Sequence, residues 1–383
     1  MKYNKKGVAP PTHSRSAGYR SFGGFISKVS RKNKVLQGIS KKGVAGVFKR
    51  GFGVRRKYRE AKNYWSRKHP PPHQGVPAHG LEEYQVHPYG DNFFPGLVTA
   101  VKREFNGLTI DLDTPIASIG SCFAEEFAYY MMGKKFNYIQ AEKSRLGASA
   151  NWGRVYTIPN LKQIVDYSLD KSYPILVEKT AGRSLKKKEQ GWFDPLRDKS
   201  PIYPEPDTAA AEIQSHRKAS LKVFKEARVL VVTLGQNEGW HDQKNDLIWA
   251  QRPPTDILEA EPKRFLFETF KQPVVLDLMK DCLSKLFRLN PELRVILTVS
   301  PVPAFATFHK KPVITDSFAN KCLLRVIAED ITEEFKGKVF YFPSFEIVLA
   351  YNPFSYRADN RHVMPRSLKK IFNVIEKSLR IKN

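Results

Sequence analysis

Ser121 and Cys122 stand side by side in SIGSCFAEEFA (118–128), where an apolar, strand-like run gives way to a helical stripe. Either side chain is a nucleophile once a base takes its proton. Near the other end, YRADNRHVMP (356–365) places Asp359 three residues before His362. In a helical turn that spacing puts both side chains on one face. The carboxylate can then hold one ring nitrogen and leave the other free as a base. Nucleophile, base and orienting acid together point to acyl transfer. Direction separates the two nucleophile candidates. One helical step turns a side chain by about 100°, so when Ser121 faces a cleft, Cys122 faces the strand layer and acts as a small hydrophobe. Ser121 is the expected nucleophile. The alternatives are Cys122 in its place, or a chain that keeps the fold without the activity.

Such side chains need a frame. Pro115–Gly120, Ala227–Gly235 and Leu293–Ser300 are apolar, rich in β-branched residues and not strictly alternating, as expected of parallel strands covered on both faces; Lys338–Phe342 is a fourth. Phe123, Ala124, Phe127, Ala128, Met131 and Met132 form one helical stripe, with Glu125 and Glu126 off it. Phe265–Leu289 and Ser317–Phe335 are long enough for helical crossovers. The alternation predicts a three-layer α/β/α sandwich with a mainly parallel sheet. Sites in such folds gather at the carboxyl ends of strands. There stand Gly120-Ser121-Cys122, Gly235-Gln236-Asn237-Glu238 and Ser300-Pro301-Val302-Pro303, whose prolines shape the strand exit.

Other polar residues take plainer readings. His241, beside Trp240, reads as polar loop surface. Glu238 either orders the Asn237 loop or faces solvent. Arg361 is a surface charge, or greets an anionic substrate. Residues 159–225 read as an irregular, charged insertion that could close over the cleft as a lid. Within it GWFDPLRD (191–198) carries aromatic and charged groups suited to sugar stacking, and Lys186-Lys187-Lys188 reads as an exposed loop.

The segments SIGSCFAEE (118–126), VVTLGQNEGWHD (231–242), VILTVSPVPAFATF (295–308) and DNRHV (359–363) resemble the GSCFA family, within the SGNH/GDSL hydrolase group. The resemblance covers about residues 90–380 and places all four motifs in the family's order. It implies an SGNH-like sandwich and a serine-dependent ester hydrolase or acyltransferase, by analogy acting on an O-acylated carbohydrate. Ser121 matches the nucleophile, although Gly120 stands where the common pattern has an aspartate. Gly153, in ANWGRVY, resembles the glycine whose backbone N–H serves the oxyanion hole beside that of Ser121. Asn237 resembles the asparagine that donates its amide to the same oxygen, with Glu238 in place of the usual aspartate. Asp359 and His362 match the terminal Asp-x-x-His.

Charge divides the chain. Residues 1–70 hold 20 of the 64 Lys and Arg and one acid, a net +19, while residues 71–383 hold 44 bases and 37 acids, a net +7. The arm also carries nine of the 23 glycines and scattered aromatics. It is expected to be disordered alone and to suit a polyanion: nucleic acid, an anionic membrane surface or an acidic polysaccharide. His69–Gly80 is a Pro/His/Gly spacer, so the chain divides into an arm (1–70), a linker (71–89) and a hydrolase-like domain (90–383). Three separated cysteines suggest neither a disulfide framework nor a zinc site; no metal or cofactor is implied, and a reducing, cytoplasmic setting, peripheral to the membrane's inner face at most, is expected. No apolar run approaches the ~18 residues of a membrane span, and the first residues show no secretory signal. Against the enzyme stands a second class of function, a non-catalytic scaffold or binding protein that uses its basic arm.

Overall fold

The computed structural model describes residues 93–106, 108–142, 148–182, 190–351 and 355–381, with Leu81 and Gln85. The basic arm, the linker (those two residues excepted) and the Lys186–Lys188 run lie outside the described residues. All that is described belongs to one compact unit, residues 78–383.

Along the chain, α1 (Phe93–Glu104) and the short β1 (Thr109–Ile110) precede β2 (Ile116–Gly120), which runs into α2 (Cys122–Gly133). Then come α3 (Ile158–Leu169), the antiparallel pair β3 (Glu178–Thr180) and β4 (Gly191–Phe193), and α4 (Pro206–Glu226). β5 (Val229–Leu234) is followed by β6 (Glu238–Asp242), β7 (Leu247–Trp249), α5 (Thr255–Ala260), β8 (Phe265–Thr269) and α6 (Gln272–Leu289). The last stretch holds β9 (Arg294–Val299), α7 (Val313–Glu334), β10 (Val339–Tyr341), α8 (Ser344–Tyr351), α9 (Pro365–Ser378) and β11 (Arg380–Ile381).

The central sheet has the order β10-β9-β5-β2, every pair parallel. All six residues of β5 are buried, which is why its sequence, VLVVTL, shows no polar alternation. Its faces still divide. Leu230, Val232 and Leu234 join a core with Ala117, Ile119, Val295 and Leu297 from the sheet and apolar residues of α3, α4, α6 and α7. Val229 and Val231 join a second core with Ile116, Ile296 and Phe340 and with α1, α2, α8 and α9. Each large aliphatic side chain so buried contributes about 1.5–3 kcal/mol. With both faces covered, the open positions for function are the strand ends.

Two expectations are corrected. Phe265–Leu289 is not one helix. Phe265–Thr269 is a strand paired antiparallel with β6, and the helix starts at Gln272 with Pro273 in its first turn. Residues 159–225 are not irregular. α3 buries nine of its twelve residues, and α4 buries Ala209, Ile213, His216, Ser220, Val223 and Phe224 along one stripe. The charges of α4 lie on its other face, as in any amphipathic helix. Most of GWFDPLRD is buried as well, with Phe193 packed on Trp249 and the side chains of Asp194, Arg197 and Asp198 inside, while Trp192 is half-buried with Lys179 5.6 Å from its ring.

Candidate active site

The site begins where β2 meets β5. Gly120 has φ +143°, and a Cβ there would collide with the Thr233 carbonyl oxygen and lie 2.9 Å from the Thr233 nitrogen. Only glycine fits, which is the physical reason no acid precedes the serine. Ser121 follows with extended backbone and caps α2, its Oγ accepting the Phe123 N–H at 3.3 Å. It is 4 % exposed. Oγ therefore lies at the positive end of the helix dipole, where negative charge is stabilised.

Two loops close on it. Val155 N donates to Gly120 O at 2.8 Å, and Gly235 N and Gln236 N both donate to Tyr156 O, at 3.0 and 2.8 Å. This laces the 150–157 segment between the exits of β2 and β5. A Cβ on Gly235 would lie 3.3 Å from Cβ of Ser121. Gly153 has φ +69° and backs onto the Asp198 carbonyl, while Arg154 N donates to Asp198 Oδ2 at 3.3 Å. Ser121 and Gly153 line one narrow recess together with Gly120, Glu125, Trp152 and Arg154.

Asn237 sits on the adjoining loop, 1 % exposed. Its Nδ2 donates to Phe270 O at 2.7 Å, and its own carbonyl accepts Phe270 N at 3.0 Å. One amide proton is thus committed to the end of β8, and a second remains on the same nitrogen.

His362 and Asp359 meet as their spacing suggests. Nδ1 of His362 and Oδ2 of Asp359 are 2.5 Å apart, and Oδ1 accepts the backbone N–H groups of Arg361 and His362, each at 3.0 Å. The local form is a tight turn with Asn360 at φ +54°, rather than a helix. The His362 bond, then the two backbone donors, hold the Asp359 carboxyl well below the usual carboxylate range. Nδ1 is occupied, which leaves Nε2 as the nitrogen available for proton transfer. The turn is docked on the exit of β9: Tyr356 Oη donates to Pro301 O at 2.9 Å, and Arg361 donates Nε and Nη2 to Pro303 O at 3.3 and 3.2 Å. Arg361 also lies over the Phe305 ring at 5.1 Å, so it clamps the turn instead of standing free as a surface charge. Among the described residues no hydrogen bond joins Ser121 Oγ to His362.

Cys122 is half-buried, not sealed in the strand layer. Burial pushes its thiol up, against the pull of Arg154, Lys321 and Arg361. A thiol held protonated is a poor nucleophile, which favours Ser121. His241 proves to be a strand residue with partners, Asp246 at 2.9 Å and Glu268 at 3.2 Å. Glu238 does not face solvent. It is 5 % exposed, accepts Thr307 Oγ1 at 3.1 Å, and is pushed up to about 7 by burial and then by Asp316.

Two site residues escaped the sequence reading. Arg154, next to Gly153, reaches the recess, with Nη2 3.7 Å from Glu125 Oε2 and Nε buried without a partner. Lys321 lies in α7 on the stripe Ser317, Asn320, Leu324, Ile327 and Ala328; a lysine in phase with a buried stripe was the available signal. Its Nζ donates to Gly235 O. No group of three or more His, Cys, Asp or Glu among the described residues could hold a metal ion, and no described helix is long and apolar enough to cross a membrane.

The family model described as GSCFA family matches residues 115–374. No curated protein matches the chain. Among solved structures, a family 3 carbohydrate esterase from Clostridium thermocellum aligns over 69 % of this chain and 94 % of its own, at 10 % identity and a TM-score of 0.32. A carbohydrate esterase family 2 enzyme with its carbohydrate binding domain, from Corynascus thermopiles (Myceliophthora fergusii), aligns over 70 % of this chain and 66 % of its own, at 11 % identity and a TM-score of 0.31.

Proposed function

The chain belongs to the GSCFA family, and from that premise we propose that it is a serine-dependent ester hydrolase or acyltransferase of the SGNH type, acting on an O-acylated carbohydrate. We read the helices on both sheet faces as the three-layer sandwich of that group. The observation that carries the proposal is the Asp359–His362 pair. It commits Nδ1, leaves Nε2 free, and is docked at the carboxyl end of the parallel sheet, the end that also presents Ser121.

The steps follow from the side chains. Ser121 Oγ attacks the acyl carbonyl as His362 Nε2 takes its proton. Asp359, ionised throughout, stabilises the imidazolium. The backbone N–H groups of Ser121 and Gly153 and the second amide proton of Asn237 hold the oxyanion. Each such donor is worth about 3–4 kcal/mol in the transition state. On collapse the sugar oxygen leaves with the proton from His362, and the acyl group stays on Oγ. Water, or a second sugar hydroxyl, then attacks with His362 again as base. The carbohydrate preference rests on the SGNH group that the motifs resemble. An aromatic cluster supports it: Trp240 lies 5.2 Å from Phe267 and 5.0 Å from Phe308, and the Phe308 side chain is 53 % exposed.

The test is turnover of p-nitrophenyl acetate by the wild type, Ser121→Ala and Cys122→Ala. Activity lost only in Ser121→Ala is expected. Loss only in Cys122→Ala, or no turnover by the wild type, overturns the proposal.

A further inference from the structure

Lys321 is the only lysine among the described residues that is buried, at 3 % exposure. Buried lysines ordinarily have a carboxylate partner. Among the described residues none pairs with this one. Its Nζ donates instead to a backbone carbonyl, that of Gly235. Gly235 in turn touches Ser121, where a Cβ on the glycine would lie 3.3 Å from the serine Cβ. A single residue therefore separates the amine from the nucleophile.

Groups on two other segments bear on it or on its acceptor. α2 supplies Cys122. The segment before α3 supplies Tyr156, whose carbonyl takes the Gly235 N–H. The carboxyls of Glu238 in β6 and Asp316 in α7 act on each other, and neither acts on Lys321. Of these titratable groups only the Cys122 thiol acts on the ionisation of Lys321; burial dominates and brings the amine down to about 7. The same ammonium is among the charges that pull the Cys122 thiol down, so its field reaches the nucleophile turn.

We propose that Lys321 is a positioning residue for the nucleophile turn: its ammonium fixes the Gly235 carbonyl, and with it the Gly235–Asn237 loop, against Ser121, and lends positive charge to the turn where the acyl oxygen becomes negative. This rests on the serine-esterase reading. A lysine kept for packing alone would be better replaced by an apolar side chain, since an unpaired buried charge opposes folding. Its retention beside the nucleophile is the pattern of a group whose burial serves a site at the expense of stability.

The sign of the pH effect is fixed. The amine is charged below its folded pKa and neutral above it. The support it gives is present on the acid side and lost as pH rises through about 7. His362 must be neutral to accept a proton, so the two groups together give a bell-shaped profile.

The experiment compares wild type, Lys321→Met and Lys321→Gln by p-nitrophenyl acetate turnover between about pH 5.5 and 9, and by thermal unfolding. Methionine matches the length of the side chain without its charge. Lys321→Met is expected to melt about 2–4 °C higher at pH 6, to lose kcat about tenfold with KM little changed, and to lose the alkaline limb. Lys321→Gln, which keeps a donor without the charge, is expected to lose the same limb. A lower melting point with the bell intact overturns the proposal and makes Lys321 structural. So does complete inactivity of Lys321→Met while His362→Ala still turns over, which makes Lys321 the base. Should the wild type turn over no ester, the serine-esterase reading fails first, and this proposal with it.

Discussion

Gly120 and Thr233 face each other across β2 and β5 in register, so closely that a side chain on the glycine would run into the threonine backbone. That contact sets the position of Ser121, because the serine is the next residue and caps α2 from there. Gly120→Ala has no space to occupy, and its φ of +143° strains any L residue. The backbone strain alone costs about 1–3 kcal/mol, and separating two core strands adds to it. Denaturant unfolding should show a loss at the upper end of that range or beyond, and esterase activity should disappear in the fraction that folds. Gly120→Asp, which would restore the common SGNH pattern, should do worse. A Gly120→Asp variant with wild-type stability would show that the strands separate at little cost.

Asp359 acts on His362 through one short bond, and both side chains are nearly half exposed. Asp359→Asn keeps the shape of the turn and reverses the hydrogen-bonding sense toward Nδ1. Loss of kcat of about 10³–10⁴-fold is expected, with a melting temperature close to wild type because little is buried there. The ionised carboxylate is stabilised in the fold, so its contribution to stability is present above the unfolded aspartate pKa and fades as pH falls below that. Activity retained in Asp359→Asn would remove the turn from the mechanism.

The central strands were readable because fully covered parallel strands must be apolar over their whole length, as Val229–Leu234 is. The Asp359–His362 contact was readable because both partners lie within one turn of chain. What sequence could not show was contact between distant segments. β8 was hidden because FLFET continues into the apolar stripe of α6, and only its pairing with β6 separates the two. Gly153 owes its conformation to Asp198, 45 residues on, a relation no local pattern carries. Lys321 was easy to pass over for a related reason, although it falls in phase with the buried stripe of α7. A lysine is read as surface unless the depth of its helix face is known.

Arg264 is buried among Asp242, Glu178 and Glu261, and Asp242 has no exposure at all. Its guanidinium donates Nε to Asp242 Oδ1 at 2.8 Å and lies 4.9 Å from the Phe265 ring. The pair ties the far end of β6 to β8, the sheet whose near end holds Asn237 on Phe270. Arg264→Ala leaves Asp242 buried without its cation, and such a loss costs about 3–5 kcal/mol. Arg264→Ala with Asp242→Asn should recover part of it. Chemical denaturation of the two single variants and the double variant gives the coupling directly, and additive effects would contradict it.

Glu238 begins β6 one residue after Asn237, and its carboxyl is pushed up to about 7 by burial and by Asp316. The folded state therefore holds a proton that the unfolded chain releases at lower pH. Stability from this group is present on the acid side and falls as pH rises from about 4.5, the ordinary glutamate value, through about 7. Glu238→Gln keeps the acceptor for Thr307, adds a donor toward Asp316 and removes the charge. It is expected to unfold at a higher temperature than wild type at pH 8 and at nearly the same temperature at pH 5. Wild type and variant with parallel melting curves against pH would show that Glu238 is ionised in the fold throughout. The two curves are expected to meet on the acid side and to part as pH rises from about 4.5 through about 7.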